Sequence, residues 1–211
     1  MKIRHFSDGE KVAKKFKQLG EKFKIKVICD IKETIEPAGR GVGPALEGLD
    51  VLSVLEQHKD RPMKLEVKAL RLAGKLLDIC YEDSKEKKNG EEEAARLLKD
   101  GSALKKFKEI VKAQGGNSNI STENFQIHSS THRVVAERSG TIKTVNNFNL
   151  NSVAKILGAP QDKYAGIYLM KKTDDRVTKD ELLLKLYSTD SYRLKEAVAT
   201  LENFPIYEIE R

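Results

Sequence analysis

The hydrophobic positions of this chain follow a helical period in the first half and an alternating period in the second. Ser7-Asp-Gly-Glu10 has the form of a capping box and predicts the start of a first helix. That helix has four apolar residues at helical spacing: Val12, Phe16, Leu19 and Phe23. Lys26-Val-Ile-Cys-Asp-Ile31 then alternates, and this alternation predicts a strand.

The first half continues with further helical segments. Four of them are predicted: Ala45–Gln57, Lys64–Tyr81, Glu91–Lys99 and Ala103–Ala113. The segment Lys64–Tyr81 is apolar on more than one side, so we expect that helix to be mostly buried. Gly115 and Gly116 end the last of these helices, and the polar, turn-rich stretch Asn117–Asn124 follows.

The second half is predicted to be rich in strands. Five are predicted: Arg133–Glu137, Thr141–Val145, Ala165–Lys171, Leu182–Tyr187 and Ile206–Glu210. A helix at Leu150–Leu157, capped by Asn149 or Asn151 and ended by Gly158, and a helix at Ser191–Leu201 lie between them. Helices first and strands second are typical of an α+β fold. We place a domain boundary at residue 120, giving domains 1–120 and 121–211.

Composition narrows the class of protein. The net charge of +7 is compatible with a nucleic-acid partner, but lysines alternate with glutamates and only 6% of residues are aromatic. We therefore predict a solvated basic surface and no nucleic-acid partner. The sequence has no apolar run long enough for a membrane span and no signal-peptide core. Cys29 and Cys80 lie in apolar settings and are predicted to be reduced and buried, as in a cytoplasmic protein.

The most distinctive stretch is Glu36-Pro-Ala-Gly-Arg-Gly-Val-Gly-Pro-Ala-Leu-Glu47, hereafter the glycine-rich loop. A glycine-rich turn before a helix can bind phosphate through backbone N–H groups. The stretch lacks the Lys-Ser or Lys-Thr that ends a Walker A loop, because Pro44-Ala45 stands there. Its glycine spacing also differs from the dinucleotide-binding pattern. Two interpretations remain open, a phosphate site and a structural tight turn.

Other candidate chemistry is sparse. His128 and His132 are four residues apart, but Ser129-Ser130-Thr131 favours an extended segment, so no metal cluster is predicted. No Ser-His-Asp or Cys-His set follows from spacing. The strands after residue 139 resemble the hammerhead of biotinyl and lipoyl carriers. The nearest candidate for a modified lysine, Lys171, lies in a predicted strand, so a carrier function is not predicted.

Three stretches together resemble the pyrimidine-nucleoside phosphorylase family. The glycine-rich loop is similar to that family's Gln-Pro-[Leu/Ile]-Gly-x-x-[Val/Ile]-Gly-x-Ala-Leu-Glu. The run from Leu97 to Ala-Gln-Gly-Gly116 is similar to the end of a family helix, and about the last ninety residues resemble the C-terminal hammerhead domain. Gly43-Pro44 is most similar to the archaeal branch of thymidine and AMP phosphorylases. The resemblance implies a helix-rich α/β piece of the central domain followed by a β-rich, hammerhead-like domain.

The resemblance also implies an activity and a site. The family reaction is phosphorolysis of an N-glycosidic bond, with inorganic phosphate as co-substrate and a nucleoside or nucleotide as the other substrate. In bacterial relatives the matching loop binds potassium, and the corresponding residues here are Ala38 and Gly41, through backbone carbonyls, and Asp50, through its carboxylate. Asp50 replaces a glutamate and is one methylene shorter. The resemblance does not distinguish a nucleoside from AMP.

The family's phosphate loop and base-binding lobe have no counterpart in this sequence. We therefore expect the chain to correspond to the C-terminal portion of such an enzyme, to need the missing N-terminal half, and to be inactive alone. The alternative is a non-catalytic assembly module, because the resemblance also implies a homo-oligomer. A third hypothesis is a basic RNA- or DNA-binding protein.

Overall fold

The computed structural model describes residue 3, residues 5–84 and residues 88–210. Contacts divide the chain into a smaller compact unit, Met1–Ile35, and a larger one, Glu36–Arg211. The predicted boundary at residue 120 stays a prediction. In the larger unit, residues 41–42 pair with residues 167–168, so strand pairing joins the two sides of residue 120.

The smaller unit contains helix α1 (Phe6–Phe23), followed by a segment without regular secondary structure. The helix is present as predicted, but the predicted capping box is wrong: the N-cap is His5, without a side-chain hydrogen bond, and Ser7 lies inside the helix. The strand predicted at Lys26–Ile31 is wrong: these residues have no regular secondary structure, and no strand in the described part of the chain pairs with them. The alternation itself is present, since Cys29 is half-buried and Ile28 is 53% exposed. A strand also requires a neighbouring strand for its backbone hydrogen bonds, and this unit supplies none among its described residues.

The larger unit begins with the glycine-rich loop and four helices. They are α2 (Pro44–Leu55), α3 (Met63–Ser84), α4 (Gly90–Lys99) and α5 (Ser102–Ala113), which confirms the four predicted helices. Asn89 caps α4 by accepting hydrogen bonds from the N–H groups of Glu91 and Glu92. Gly74 of α3 lies directly against the backbone of Glu91, and this close approach packs α3 on α4.

The prediction that α3 is mostly buried is wrong. Only Glu66 and Gly74 of its described residues are buried, whereas Val67 is 58% and Leu76 is 63% exposed. One side of α3 packs on α4, and the described residues leave the remaining apolar side chains in solvent. Cys80 lies on this helix and is exposed, and Cys29 is half-buried, so the predicted burial of both cysteines is also wrong. Both thiols are free, and their predicted reduced state stays a prediction.

Strands of the second half, together with one from the glycine-rich loop, form two antiparallel sheets. The strands are β1 (Gly41–Val42), β2 (Ser130–Val135), β3 (Gly140–Val145), β4 (Gly166–Leu169), β5 (Arg176–Val177), β6 (Leu182–Ser188) and β7 (Tyr207–Glu210). One sheet has the order β1-β4-β6-β2 and the other β5-β3-β7. Helices α6 (Asn147–Leu157) and α7 (Ser191–Thr200) complete the unit. The α+β fold class is confirmed.

The core lies between the two sheets and the two helices. Strands β4 and β6 and helix α6 bury aliphatic side chains completely: Leu150, Val153, Leu157, Ile167, Leu169 and Leu186. Helix α6 begins at Asn147, and its cap is Asn146, which accepts from the N–H groups of Phe148 and Asn149. The predicted caps Asn149 and Asn151 are therefore wrong. Gly158, with φ 117°, ends the helix as predicted.

No helix within residues 5–84 and 88–210 is long and apolar enough to cross a membrane.

Candidate functional site

The glycine-rich loop is held by backbone contacts that admit no side chain. Strand β1 pairs antiparallel with β4, with Gly41 opposite Tyr168. Gly43 has φ 126° and Gly166 has φ 155°, a region that L residues rarely adopt. A Cβ atom on Gly43 would meet the carbonyl oxygen of Ala165, and one on Gly166 would meet that of Val42. These glycines permit close approach of two backbones.

Two of the donors at the start of α2 are already used within the protein. The N–H of Gly43 donates to Oε1 of Glu47 at 3.0 Å, and the N–H of Ala45 donates to the carbonyl of Lys163 at 3.0 Å. Pro44, between them, has no N–H. An anion-binding turn needs free N–H groups that converge on the anion. The structural interpretation of the loop is therefore favoured over a phosphate site.

Asp50 of α2 fixes the loop from inside. It is 2% exposed, and its Oδ2 accepts hydrogen bonds from the N–H groups of Arg40 at 2.6 Å and Gly41 at 2.7 Å. Burial raises the pKa of Asp50, and the hydrogen bonds from Gly41 and Arg40 oppose that rise. A Cβ on Gly39 would collide with the Asp50 carboxylate, so this position also requires glycine.

Lys172, which follows β4, contacts the same loop from outside. Its Nζ donates to the carbonyl oxygens of Pro37 at 2.6 Å and Gly39 at 2.5 Å. Burial lowers the pKa of Lys172, and the negative charges of Glu36 and Asp50 oppose this. The loop carbonyls thus bind a positive charge that belongs to the chain.

Glu36, at the start of the loop, makes a second contact between the loop and the segment that follows β4. Its Oε2 accepts from the N–H and the hydroxyl of Thr173, both at 2.9 Å, and its Oε1 accepts from Nζ of Lys64 at 2.6 Å. The carboxylate is 7% exposed. Burial acts to raise the pKa of Glu36, but the hydrogen bonds from Lys64 and Thr173 together hold it below its usual value.

The potassium site over Ala38, Gly41 and Asp50 stays a prediction. The structure brings Asp50 to Gly41 through the N–H of Gly41, so this carboxylate faces a backbone donor. The described contacts do not favour a metal ion, since one Asp50 oxygen already accepts two N–H groups and the Lys172 ammonium lies on neighbouring carbonyls. The described residues contain no group of three His, Cys, Asp or Glu side chains that could hold a metal ion.

A cavity of about 330 Å³ opens beside the loop. Gly41, Glu47, Asp50, Leu65 and Asn151 are among its lining residues. Two ionisable groups line it. Glu47 accepts a hydrogen bond from the N–H of Gly43, and Asp50 accepts from the N–H groups of Arg40 and Gly41, so both carboxylates stabilise the loop. The cavity therefore offers a recess beside the loop, with its charged side chains engaged in holding the turn.

The remaining sequence candidates have local roles. His128 and His132 are both exposed, the second on β2, and the His128 ring meets Tyr164 edge-on at 5.5 Å. Strand β4 ends at Leu169, so Lys171 follows the strand instead of lying in it. Its Nζ forms an ion pair with Glu181, which differs from the free lysine that a carrier presents on a turn.

Sequence reasoning missed the Lys172 and Glu36 contacts. Lys172 is 133 residues from Gly39, and Thr173 is 137 residues from Glu36. Periodicity and motif spacing report neighbours along the chain and carry no signal for such pairs. The pairing of β1 with β4, through Gly41 and Tyr168, brings the two segments together, and β1 was not among the predicted strands.

Known proteins with similar sequences are phosphorylases. Residues 141–207 match the pyrimidine nucleoside phosphorylase C-terminal domain. An AMP phosphorylase of Methanococcoides burtonii is 34% identical over 209 residues, which are 99% of this chain and 41% of that protein. An AMP phosphorylase of Methanococcus maripaludis is 36% identical over 198 residues, covering 94% of this chain and 39% of that protein. The resemblance to the phosphorylase family is confirmed, and the chain spans about 40% of the length of these relatives.

Proposed function

We propose that this chain, whose residues 141–207 belong to the pyrimidine nucleoside phosphorylase C-terminal domain family, supplies the C-terminal part of an AMP phosphorylase. The observation that carries the proposal is the similarity of 99% of the chain to an AMP phosphorylase. In the reaction, an oxygen of inorganic phosphate bonds to C1′ of the ribose while the C1′–N bond breaks. The base leaves with the electron pair and takes up a proton, and the sugar retains the new phosphate ester.

Within that reaction the chain forms one side of the active site and supplies no catalytic group. Charge that develops during glycosidic cleavage must be stabilised by groups already in place. The first donors of α2 are used by Glu47 and Lys163, and Asp50 is buried against the loop. The phosphate and base sites are therefore assigned to the part of the phosphorylase that this chain does not match. The glycine-rich loop is a rigid surface beside them.

The apolar surface of α3 supports this division. Four large apolar residues of this helix are between 45% and 63% exposed: Met63, Val67, Leu72 and Leu76. At 3.6 residues per turn, Met63 and Val67 lie on the opposite side of the helix from Leu72 and Leu76, so α3 exposes an apolar pair on each of two sides. The occupant we propose is the remaining part of the phosphorylase, which would complete the α/β domain around α3.

The purified chain tests the incompleteness directly. We expect no release of free base from AMP, thymidine or uridine with inorganic phosphate, measured by chromatography of the reaction mixture. We also expect no heat of phosphate binding in a calorimetric titration, because the N–H groups of Arg40, Gly41, Gly43 and Ala45 already donate within the protein. Turnover of any of the three substrates by this chain alone would overturn the proposal that catalysis requires a further part.

A second candidate function is self-association, as expected of an assembly module. Strand β2 is the outermost strand of its sheet and is largely exposed, with Val135 at 40%. A free strand edge offers unpaired backbone groups to another copy. Light scattering over a concentration series tests this candidate. A mass of one chain at every concentration would exclude it, and a larger mass that falls when Val134 is replaced by proline would support it.

A further inference from the structure

We infer that the ammonium of Lys172 is the cation that the glycine-rich loop binds, so that the order of the loop requires no dissolved monovalent ion. Two loop carbonyls, those of Pro37 and Gly39, accept hydrogen bonds from this one Nζ atom at 2.6 and 2.5 Å. Backbone carbonyls that converge on one point are the arrangement that also suits a hard metal cation. The inference rests on these contacts and does not depend on the proposed function.

The charges around the loop favour a single internal cation. The loop and its contacts carry three carboxylates, those of Glu36, Glu47 and Asp50, and three cationic groups, those of Arg40, Lys64 and Lys172. These six formal charges cancel. A dissolved ion added to the same carbonyls would place a second positive charge beside the half-buried Lys172 ammonium, which is costly without a further anion.

The backbone on both sides of Lys172 is hydrogen-bonded to the loop. The N–H of Leu169, three residues before Lys172, donates to the carbonyl of Arg40 at 2.9 Å. One residue after Lys172, Thr173 donates twice to Glu36. The backbone is thus attached to the loop on both sides of the lysine. A group held in this way has a high effective concentration at its site and competes well against free ions.

The loop amides of Arg40 and Gly41 provide a local measurement. Both donate to Asp50, and their hydrogen exchange reports whether the loop keeps its conformation. In the full chain we expect the same exchange rates in potassium chloride and in choline chloride of equal ionic strength. Slower exchange of these amides in potassium chloride would overturn the inference, because it would show that a dissolved ion orders the loop.

Substitution of the lysine tests the same point from the other side. Lys172→Met should accelerate exchange at Arg40 and Gly41 by at least roughly tenfold, a change equivalent to about 1.4 kcal/mol. Lys172→Arg, which keeps the charge, should restore part of the protection. Lys171→Met is the matched control, since the adjacent ammonium pairs with Glu181 and does not contact the loop.

The amide of Leu186, in the central strand β6, separates a local effect from general destabilisation. Faster exchange at the loop amides with Leu186 unchanged supports the inference. Equal acceleration at the loop and at Leu186, or no acceleration at the loop, overturns it. Full protection of the loop in Lys172→Met with choline as the only added cation would also overturn it.

Discussion

Replacement of Asp50 by alanine should destabilise the larger unit substantially. The carboxylate is 2% exposed and accepts two backbone hydrogen bonds, from Arg40 and Gly41. Hydrogen bonds to a charged acceptor contribute roughly 1.5–3 kcal/mol each, but removing a buried charge also relieves part of its desolvation cost. The N–H of Gly41 is buried and would lose its acceptor, whereas that of Arg40 is only partly buried and water can reach it. The net expected loss is about 3 kcal/mol.

Asp50→Asn should cost less, because its amide oxygen can still accept from both N–H groups. Neutral acceptors form hydrogen bonds about half as strong as charged ones, so the expected loss is about 1.5 kcal/mol. Val51→Ala is the matched control on the same helix; Val51 is 39% exposed, and its expected loss is below about 0.5 kcal/mol.

Urea unfolding followed by tyrosine fluorescence measures these differences. The chain contains no tryptophan, and its six tyrosines all lie after residue 36, so the signal reports the larger unit. A loss below about 1 kcal/mol for Asp50→Ala would refute the reasoning, because it would mean that the Gly41 N–H finds another acceptor. Equal losses for the alanine and asparagine variants would refute the assigned role of the carboxylate oxygen.

Three further predictions concern other parts of the larger unit. Gly43→Ala should lower the melting temperature, because φ 126° is strained for alanine and its Cβ meets the Ala165 carbonyl; circular dichroism measures this, and unchanged melting would contradict it. The pKa of Glu181 is lowered to about 2, first by the hydrogen bond from Lys171. The contribution of this carboxylate to stability is therefore present above its ordinary pKa of 4.5 and is lost as the pH falls towards 2. Titration followed by carbon-13 NMR should show a higher Glu181 pKa in Lys171→Met. An unchanged pKa would contradict the pairing. Leu76→Gln should leave the stability of the chain within about 0.5 kcal/mol in urea unfolding, because the side chain is 63% exposed, and a large loss would show that it is covered.

The helices could be predicted from the sequence because their signals are local. Apolar spacing and glycines predict Pro44–Leu55 and Ser102–Ala113 within one or two residues of the observed bounds, since the signals that start and end a helix lie within a few residues. Lys26–Ile31 has the correct alternation and still forms no strand, because pairing requires a neighbour that the described residues do not supply. The predicted burial of α3 was wrong for the same physical reason: burial depends on what covers a helix.

The candidate site was predictable only in part. The glycine positions indicated a tight turn, and the structure accounts for Gly39, Gly41 and Gly43 by close contacts with backbone or with Asp50. Asp50 was selected for a metal, yet its contacts in the structure are with backbone N–H groups. Lys172 reaches the loop across more than 130 residues of sequence, through a strand pair whose register no local pattern specifies.

The most direct measurement is phosphorolysis after mixing. The purified chain is combined with the portion of the Methanococcoides burtonii AMP phosphorylase that it does not match, and adenine release from AMP and phosphate is followed by chromatography. We predict no adenine release by either part alone and adenine release by the mixture. Release should be slower when the Leu76→Gln variant replaces the unmodified chain in the mixture. Adenine release by this chain alone, or a mixture that binds tightly and stays inactive, would contradict the central claim that this chain completes a phosphorylase.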